Sequence, residues 1–180
     1  MSPHSAHVGS AALVKKHKVS TGPKLHLCAC IIGGRVRVWH YLPKRWCGKA
    51  AEDLYRNVIG PALRRHCGAR RTYTILEDND PTGYKSKRAA KAKAELGIDP
   101  IQFPTYSPDL NPLDFALWDE VERRMNRSKA SKNESLEQFK ARLRRTAMAT
   151  PEDVVRKMLG DIKTRAQSIY DHSGGHIPKD

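Results

Sequence analysis

The chain contains, at residues 107–118, the stretch Ser-Pro-Asp-Leu-Asn-Pro-Leu-Asp-Phe-Ala-Leu-Trp. Two prolines four residues apart favour a rigid bend, and the apolar spacing that follows predicts a helix over about 113–126. The helix would pack one face on a core through an apolar stripe made of Leu113, Leu117, Val121 and Met125. Asp114 lies in its first turn, so the bend sets a carboxylate at the start of a helix.

A second carboxylate follows a predicted strand further upstream. Residues 71–76 are rich in Thr, Tyr and Ile, as β-strands are, and they end in Glu77-Asp78-Asn79-Asp80-Pro81. Asp78 is therefore placed at the carboxyl end of a strand. Asp80 and Asp109 are further carboxylates, for which a turn or supporting role is expected rather than a metal-binding one.

Upstream of this strand the sequence predicts a β-hairpin inside a layered α/β domain. Two strand-like runs, 25–32 and 35–42, flank Gly33-Gly34, and two glycines between such runs are typical of a tight hairpin turn. The first run is continuously apolar, which indicates a strand covered on both faces. Helical spacing predicts helices after Pro43 and over 84–96 in this domain, and two more near 135–149 and from residue 150 onward.

Together, the strand-end segment and the bend resemble the second and third carboxylate motifs of the mariner-like transposases in the DDE superfamily. The resemblance covers about residues 25–125 and implies an RNase H-like mixed sheet with flanking helices. It further implies metal-dependent cleavage and strand transfer of DNA with Mg²⁺ or Mn²⁺, in which Asp78 and Asp114 would be catalytic metal ligands. Two ligands of one such centre would lie roughly 4 to 8 Å apart.

The first catalytic aspartate of that family has no match in this chain. It lies on a first strand, upstream of the hairpin, but the first carboxylate of this chain is Glu52. We expect the first strand itself to be missing as well. The sequence therefore predicts a remnant of a transposase catalytic domain, inactive for lack of a third carboxylate, from a decayed element or an incomplete gene. The alternative is a non-catalytic basic protein that binds nucleic acid.

The charge of the chain favours a polyanionic partner. It carries 33 Lys and Arg against 19 Asp and Glu, a net charge of +14, with an isoelectric point near 9.9. DNA is the expected partner, mostly through its phosphate backbone, and no sequence-specific recognition is expected. The predicted backbone contacts follow Asp78 on one helix flank: Lys85, Lys87, Arg88, Lys91 and Lys93.

Composition shifts divide the chain into three predicted regions. Residues 1–24 read as a basic loose arm, 25–126 as the partial RNase H-like domain and 127–180 as a C-terminal helical extension. The extension could serve as an oligomerisation surface, so a homodimer is a further hypothesis. The longest apolar run, Leu27–Ile32, is far below the roughly 20 residues of a membrane span. Without a secretory signal, we expect an intracellular protein with no membrane partner, nuclear if the host is eukaryotic.

Overall fold

The computed structural model describes residues 6–8, 12–13, 25–78, 80–102, 107–128 and 133–172. The chain divides into two compact units. The first comprises Met1–Gly33 and Arg37–Thr105, and the second comprises Gly34–Val36 and Tyr106–Asp180. The region boundaries predicted after residues 24 and 126 follow the extent of the motifs and stay predictions.

Six strands of the described residues form one mixed sheet. They are β1 (Ala6–Val8), β2 (Ala12–Leu13), β3 (His26–Ile32), β4 (Arg35–Tyr41), β5 (Tyr73–Glu77) and β6 (Ile98–Gln102). β1 and β2 pair antiparallel with β3, which also pairs with β4. β1 pairs parallel with β5, and β5 pairs parallel with β6. The sheet is therefore mixed, with β1 between β3 and β5.

The predicted hairpin is confirmed at β3 and β4. Every residue of Leu27–Ile32 is at most 1% exposed, as the continuous apolar run indicated for a strand covered on both faces. The turn residues Gly33 and Gly34 have φ values of 61° and 78°, in the left-handed region that only glycine adopts without strain. The two glycines are thus required by the tightness of the turn.

The prediction that the first strand is missing is wrong. β1 lies upstream of the hairpin, as the family's first strand does, and pairs with a strand on each side: Ala6 lies opposite Ile32 of β3 and opposite Ile75 of β5. Three residues are too few to show a strand pattern in the sequence, but a strand placed between two neighbours gains backbone hydrogen bonds along both edges. Part of the predicted loose arm therefore belongs to the sheet. The rest of residues 1–24 lies outside the described residues.

Helices of the first unit pack around this sheet. After the hairpin, three helical segments follow one another without a break: α1 (Gly48–Leu54), a π-helical turn (Tyr55–Ile59) and α2 (Gly60–Cys67). Pro61 lies inside this continuous helical segment, directly after the π-helical turn, and cannot donate a backbone hydrogen bond to the preceding turn. α3 (Lys87–Glu95) connects the parallel strands β5 and β6, as a crossover helix must.

The second unit is built mainly from the bend and three helices. A 3-10 turn (Pro108–Leu110) leads into a π-helical turn (Leu113–Leu117) and α4 (Trp118–Arg127). The predicted apolar stripe of this helix is buried, with none of its four members more than 8% exposed. α5 (Leu136–Met148) and α6 (Glu152–Asp171) follow, as the helical spacing predicted.

Within the described part of the chain, no helix has both the length and the apolar character needed to cross a membrane.

Candidate nucleic-acid interface and carboxylate site

Asp78 directly follows β5, as predicted, and is half-buried. Its neighbour Glu77, the last residue of the strand, is completely buried. The Glu77 carboxylate accepts a hydrogen bond from the Tyr55 hydroxyl (O···O 2.5 Å) and one from the ammonium group of Lys93 (N···O 2.5 Å). Burial and the adjacent Glu77 carboxylate raise the pKa of Tyr55 well above its ordinary value, so the phenol stays protonated and donates. The strand end is thus held by a buried polar network.

This network corrects one predicted DNA contact. Lys93 is only 4% exposed, and its ammonium group also donates to the backbone carbonyl of Tyr84 at 3.0 Å. A lysine in this position neutralises Glu77 and is shielded from any phosphate. Its place in the helix explains the error, because positions 89, 92, 93 and 96 share the face of α3 that the two buried alanines Ala89 and Ala92 turn to the core.

The other predicted DNA contacts are exposed. Lys85 lies in the turn before α3, and Lys87, Arg88 and Lys91 lie on the helix. Arg88 approaches Glu52 at 3.7 Å, and no ion pair with a carboxylate of the described residues is found for the three lysines. Their contact with DNA stays a prediction. We call Lys85, Lys87 and Lys91 the lysine face.

Asp80 closes the turn between Asp78 and α3. Its carboxylate accepts hydrogen bonds from the indole of Trp46 at 2.7 Å and from the backbone amides of Thr82 and Gly83 at 3.2 and 2.8 Å. Burial acts to raise the pKa of Asp80, but these hydrogen bonds outweigh it and the pKa is lowered. The predicted turn role of Asp80 fits this geometry.

Asp114 lies in the π-helical turn that the bend opens. One of its oxygens accepts from the indole of Trp118 at 3.0 Å, and the other accepts from the side-chain amide of Asn111 at 2.9 Å. Asn111 is itself buried, and its carbonyl oxygen accepts from the backbone N–H of Leu113 at 3.1 Å. The bend thus orients Asp114 through a capping asparagine.

The predicted metal site combines residues of both compact units and stays a prediction. Asp78 belongs to the first unit and Asp114 to the second, and the predicted separation of their carboxylates stays a prediction. β1, at the position of the family's first strand, consists of Ala6, His7 and Val8 and carries no carboxylate. Among the described side chains, no three of His, Cys, Asp or Glu are grouped closely enough to hold a metal ion. Both oxygens of Asp114, moreover, already accept hydrogen bonds from N–H groups.

The buried network of Tyr55, Glu77 and Lys93 is the feature that the sequence did not predict. Tyr55 and Lys93 are 22 and 16 residues from Glu77 along the chain, so no local spacing links the three. The residue spacing along α3 could have indicated that Lys93 is buried, because Lys93 lies one turn after Ala89 on an otherwise small and apolar face of the helix.

The sequence was compared with those of known proteins. No protein-family profile matches the chain. Two curated transposases of Caenorhabditis briggsae are similar to it. The Tcb2 transposase is 32% identical over 124 residues and the Tcb1 transposase 30% identical over 123 residues. Each alignment covers 68% of this chain and 42% of the relative, so the chain spans about two fifths of the length of these relatives.

Solved structures show the same fold. The Mos1 transposase catalytic domain with raltegravir and Mn matches 96% of this chain and 84% of that chain, with a TM-score of 0.76 and 17% identity. A Mos1 mariner paired-end complex with Mn matches 97% of this chain and 56% of that chain, with a TM-score of 0.75 and 16% identity. Both likenesses concern the fold, and they confirm the predicted RNase H-like α/β architecture.

The fold is that of the Mos1 transposase catalytic domain, and the strand-end aspartate and the bend are the two motifs on which the predicted resemblance rests. In sequence the chain is similar to the Tcb1 and Tcb2 transposases and in fold to the Mos1 mariner transposase, which confirms the resemblance predicted from its two motifs.

Proposed function

We propose that this chain is a transposase-derived protein that binds DNA without cleaving it. The observation that carries the proposal is β1, which lies between β3 and β5, where the family's first catalytic strand belongs, and bears no Asp or Glu. Because β1 occupies this position in the sheet, the strand is present and only its carboxylate is missing. The nearest carboxylate further along the chain, Glu52, lies in α1 and pairs with Arg56.

Metal-dependent phosphodiester cleavage explains why this loss matters. Two Mg²⁺ ions about 4 Å apart activate the attacking oxygen and stabilise the leaving one, and both are held by carboxylates from several elements. Mg²⁺ loses its hydration water reluctantly and needs near-octahedral oxygen ligands. With at most Asp78 and Asp114 in place, the chain lacks a carboxylate that would neutralise and position one of the ions.

Charge supports the DNA-binding part of the proposal. The lysine face follows the strand-end motif and belongs to a chain with a net charge of +14. Exposed ammonium groups that form no ion pair with a carboxylate of the described residues are available to neutralise phosphates and release counterions. The paired-end complex of Mos1 is an assembly of a related protein, and it makes DNA the natural polyanion to test here. In a eukaryotic host we expect this function in the nucleus.

A plasmid-nicking assay tests the missing activity. The full chain is incubated with supercoiled plasmid and either Mg²⁺ or Mn²⁺, beside the variant Asp78→Ala. We expect both proteins to leave the plasmid supercoiled at the level of a buffer control. Nicking by the parent chain that disappears in Asp78→Ala would refute the proposal, because another group would then complete the site.

Binding is tested with duplexes of unrelated sequence at increasing salt. Backbone contacts predict that the logarithm of the association constant falls linearly with the logarithm of salt concentration and changes little between sequences. Absence of binding at low salt, or a strong preference for one sequence at physiological salt, would contradict the proposal. Sedimentation of the free chain over a range of concentrations tests the homodimer hypothesis separately.

A further inference from the structure

The loop at residues 43–47, which we call the basic loop, lies between β4 and α1 and contacts the turn before α3. The indole of Trp46 donates to the Asp80 carboxylate at 2.7 Å. Two residues after Trp46, a Cβ added to Gly48 would lie 2.8 Å from the hydroxyl oxygen of Ser86. The two segments, both in the first unit, therefore run side by side, although 34 positions separate Trp46 from Asp80 in the sequence.

Gly83 allows the two segments to approach this closely. A Cβ added to Gly83 would lie 2.2 Å from two atoms of the Trp46 indole, a distance that no side chain could tolerate. The Trp46 ring also meets the ring of Tyr84 edge-on, with centroids 5.2 Å apart. The Asp80 oxygen that accepts from Trp46 accepts from the Gly83 amide as well, and the Asp80 carbonyl accepts from the amide of Lys85 at 3.2 Å. Asp80 thus holds both the basic loop and the first residue of the lysine face.

Both segments carry exposed basic side chains, which are Lys44 and Arg45 in the loop and Lys85, Lys87 and Arg88 before and on α3. Acidic side chains are missing from both stretches, since no Asp or Glu occurs at 43–51 or 81–94. Asp80 stands between them, but both of its oxygens already accept hydrogen bonds from N–H groups. The contact therefore joins two positive stretches with little negative charge between them.

The thiol of Cys47, the last residue of the loop, responds to charges on both segments. Hydrogen bonds from the backbone amides of Ala50 and Lys49 do most to lower the pKa of Cys47. The positive charges of Arg45 in the loop and Arg88 on α3 lower it further. This agrees with the contacts at Trp46 and Gly48, which bring the loop to the start of α3.

We infer that Trp46 is a positioning residue for DNA binding, which holds the basic loop beside the lysine face so that both contact the phosphate backbone of one duplex. Lys44 and Arg45 then add two contacts to those of the lysine face. A charged group that is held in place before binding loses less conformational freedom when it meets a phosphate. The inference rests on the proposed DNA-binding function and adds to it a further contact site and the side chain that positions it.

A purely structural role for Trp46 is the competing explanation. The Trp46 ring packs against the hydrophobic core of the first unit, so its loss costs stability in either case. A structural role predicts that a folded Trp46 variant binds DNA as the parent chain does. Positioning predicts instead that Trp46 affects binding and that this effect depends on Lys44 and Arg45. A cycle of variants separates the two explanations.

The test measures the affinity of the full chain for one duplex of about 20–30 base pairs over a range of salt concentrations. Trp46→Phe removes the indole N–H but keeps an aromatic ring, and Lys44→Gln/Arg45→Gln removes the two charges of the loop. Arg144→Gln/Arg145→Gln removes two exposed charges of α5 as a matched control. Trp46→Phe is also combined with each pair, and thermal unfolding checks that every variant is folded.

We expect the loop variant to bind at least about tenfold more weakly near 0.1 M salt, with a salt slope lower by about 2, because two phosphate contacts are lost. The α5 control should change much less. Trp46→Phe should weaken binding about three- to tenfold, which corresponds to the cost of ordering a side chain on binding. It should do so equally in the α5 control, but have no further effect in the loop variant.

Two results would overturn the inference and leave the proposed function standing. One is an equal loss of affinity in the loop variant and the α5 control. The other is an effect of Trp46→Phe that is zero, or that persists unchanged in the loop variant. Failure of the parent chain to bind duplex DNA at low salt would instead refute the proposed function. If Trp46→Phe does not fold, Asp80→Asn, which weakens the same hydrogen bond, replaces it in the cycle.

Alkylation of Cys47 provides a readout that a structural role would not change. Cys47 ends the basic loop, whereas Cys67 lies at the far end of the continuous helical segment that begins at Gly48. Bound phosphates would cover the loop and oppose formation of the thiolate, so saturating duplex DNA should slow labelling of Cys47 several-fold and leave Cys67 unchanged. The protection should be much smaller in Lys44→Gln/Arg45→Gln. Labelling of Cys47 that saturating DNA does not slow would contradict the placement of DNA on the basic loop.

Discussion

The ammonium group of Lys93 lies 2.5 Å from a carboxylate oxygen of Glu77, and both side chains are buried. The pair links the second turn of α3 to the end of β5, one residue before Asp78. Because Tyr55 donates to the other Glu77 oxygen, both oxygens of this carboxylate have partners. The strand end is therefore tied to two helical segments by charge and hydrogen bonding, as well as by apolar packing.

Breaking this pair should be costly, and removing both charges should cost much less. Lys93→Met leaves a buried carboxylate without its counter-charge, for which we expect a loss of about 3 to 5 kcal/mol in the free energy of unfolding. In Glu77→Gln/Lys93→Met no charge is buried and the glutamine still accepts from Tyr55, so a loss of about 1 to 2 kcal/mol is expected. Urea unfolding at pH 7 of the four members of this double-mutant cycle measures the difference.

An exposed lysine of the same helix provides the control for that cycle. Lys91→Met removes a charge without burying another, and its effect should stay within about 0.5 kcal/mol. If the losses from the single changes at Glu77 and Lys93 simply add in the double variant, the two residues are not coupled and the described pair is wrong.

Asp80 should contribute stability that depends on pH. Its pKa is lower in the folded chain than in the unfolded one, so its stabilisation is fully present above the ordinary aspartate range near 3.9 and is lost as the pH falls through the folded value. Asp80→Asn should therefore lower stability by about 1 kcal/mol at pH 7 and by progressively less toward pH 3. Thermal unfolding of both proteins across that range measures the difference, and a gap that is constant with pH would contradict the assignment.

Trp46→Phe is the partner experiment for Asp80. It removes the indole N–H that donates at 2.7 Å but keeps an aromatic ring beside Tyr84. The pH dependence of stability should then be weaker than in the parent chain, because one of the hydrogen bonds that favour the charged carboxylate is gone.

Divalent cations should have little effect on the folded chain. A ligand that binds only the native state raises the melting temperature in proportion to RT ln(1 + [L]/Kd). With no carboxylate on β1 and both oxygens of Asp114 already hydrogen-bonded, we expect a shift within about 1 °C on adding about 5 mM Mg²⁺ or on adding a chelator. A saturable rise of several degrees that is absent in Asp78→Ala would show a metal site and argue against the proposed function.

The four cysteines should react in a defined order. Backbone amides of Ala50 and Lys49 at the start of α1 lower the pKa of Cys47, whereas burial raises the pKa of Cys67. Cys28 and Cys30 are completely buried in β3. Brief alkylation at pH 7.5, read by peptide mass spectrometry, should label Cys47 first and spare Cys28 and Cys30 until urea is added. Early labelling of either β3 thiol would contradict the buried position of that strand.

Much of the architecture follows from local sequence patterns. The run Leu27–Ile32 with its two glycines predicts a buried strand and a tight turn because each feature depends on neighbouring residues only. The bend and its helix also depend on neighbouring residues only, since Asn111 forms hydrogen bonds with both Leu113 and Asp114. Both carboxylate motifs could therefore be found, and with them the transposase family.

Contacts between distant residues decided what the sequence alone did not. A charged side chain in a basic run looks solvated, and only the packing of α3 against the strand end shows that Lys93 neutralises Glu77. β1 could not be predicted either, because three residues are too few to show a strand pattern. Its place in the sheet is set by pairing with β3 and β5. The sequence by itself determined the resemblance to mariner-like transposases, the residues of the hairpin turn and the absence of a carboxylate before Glu52. The tertiary structure decided the place of β1 in the sheet and which charges are buried, because both depend on partners far along the chain.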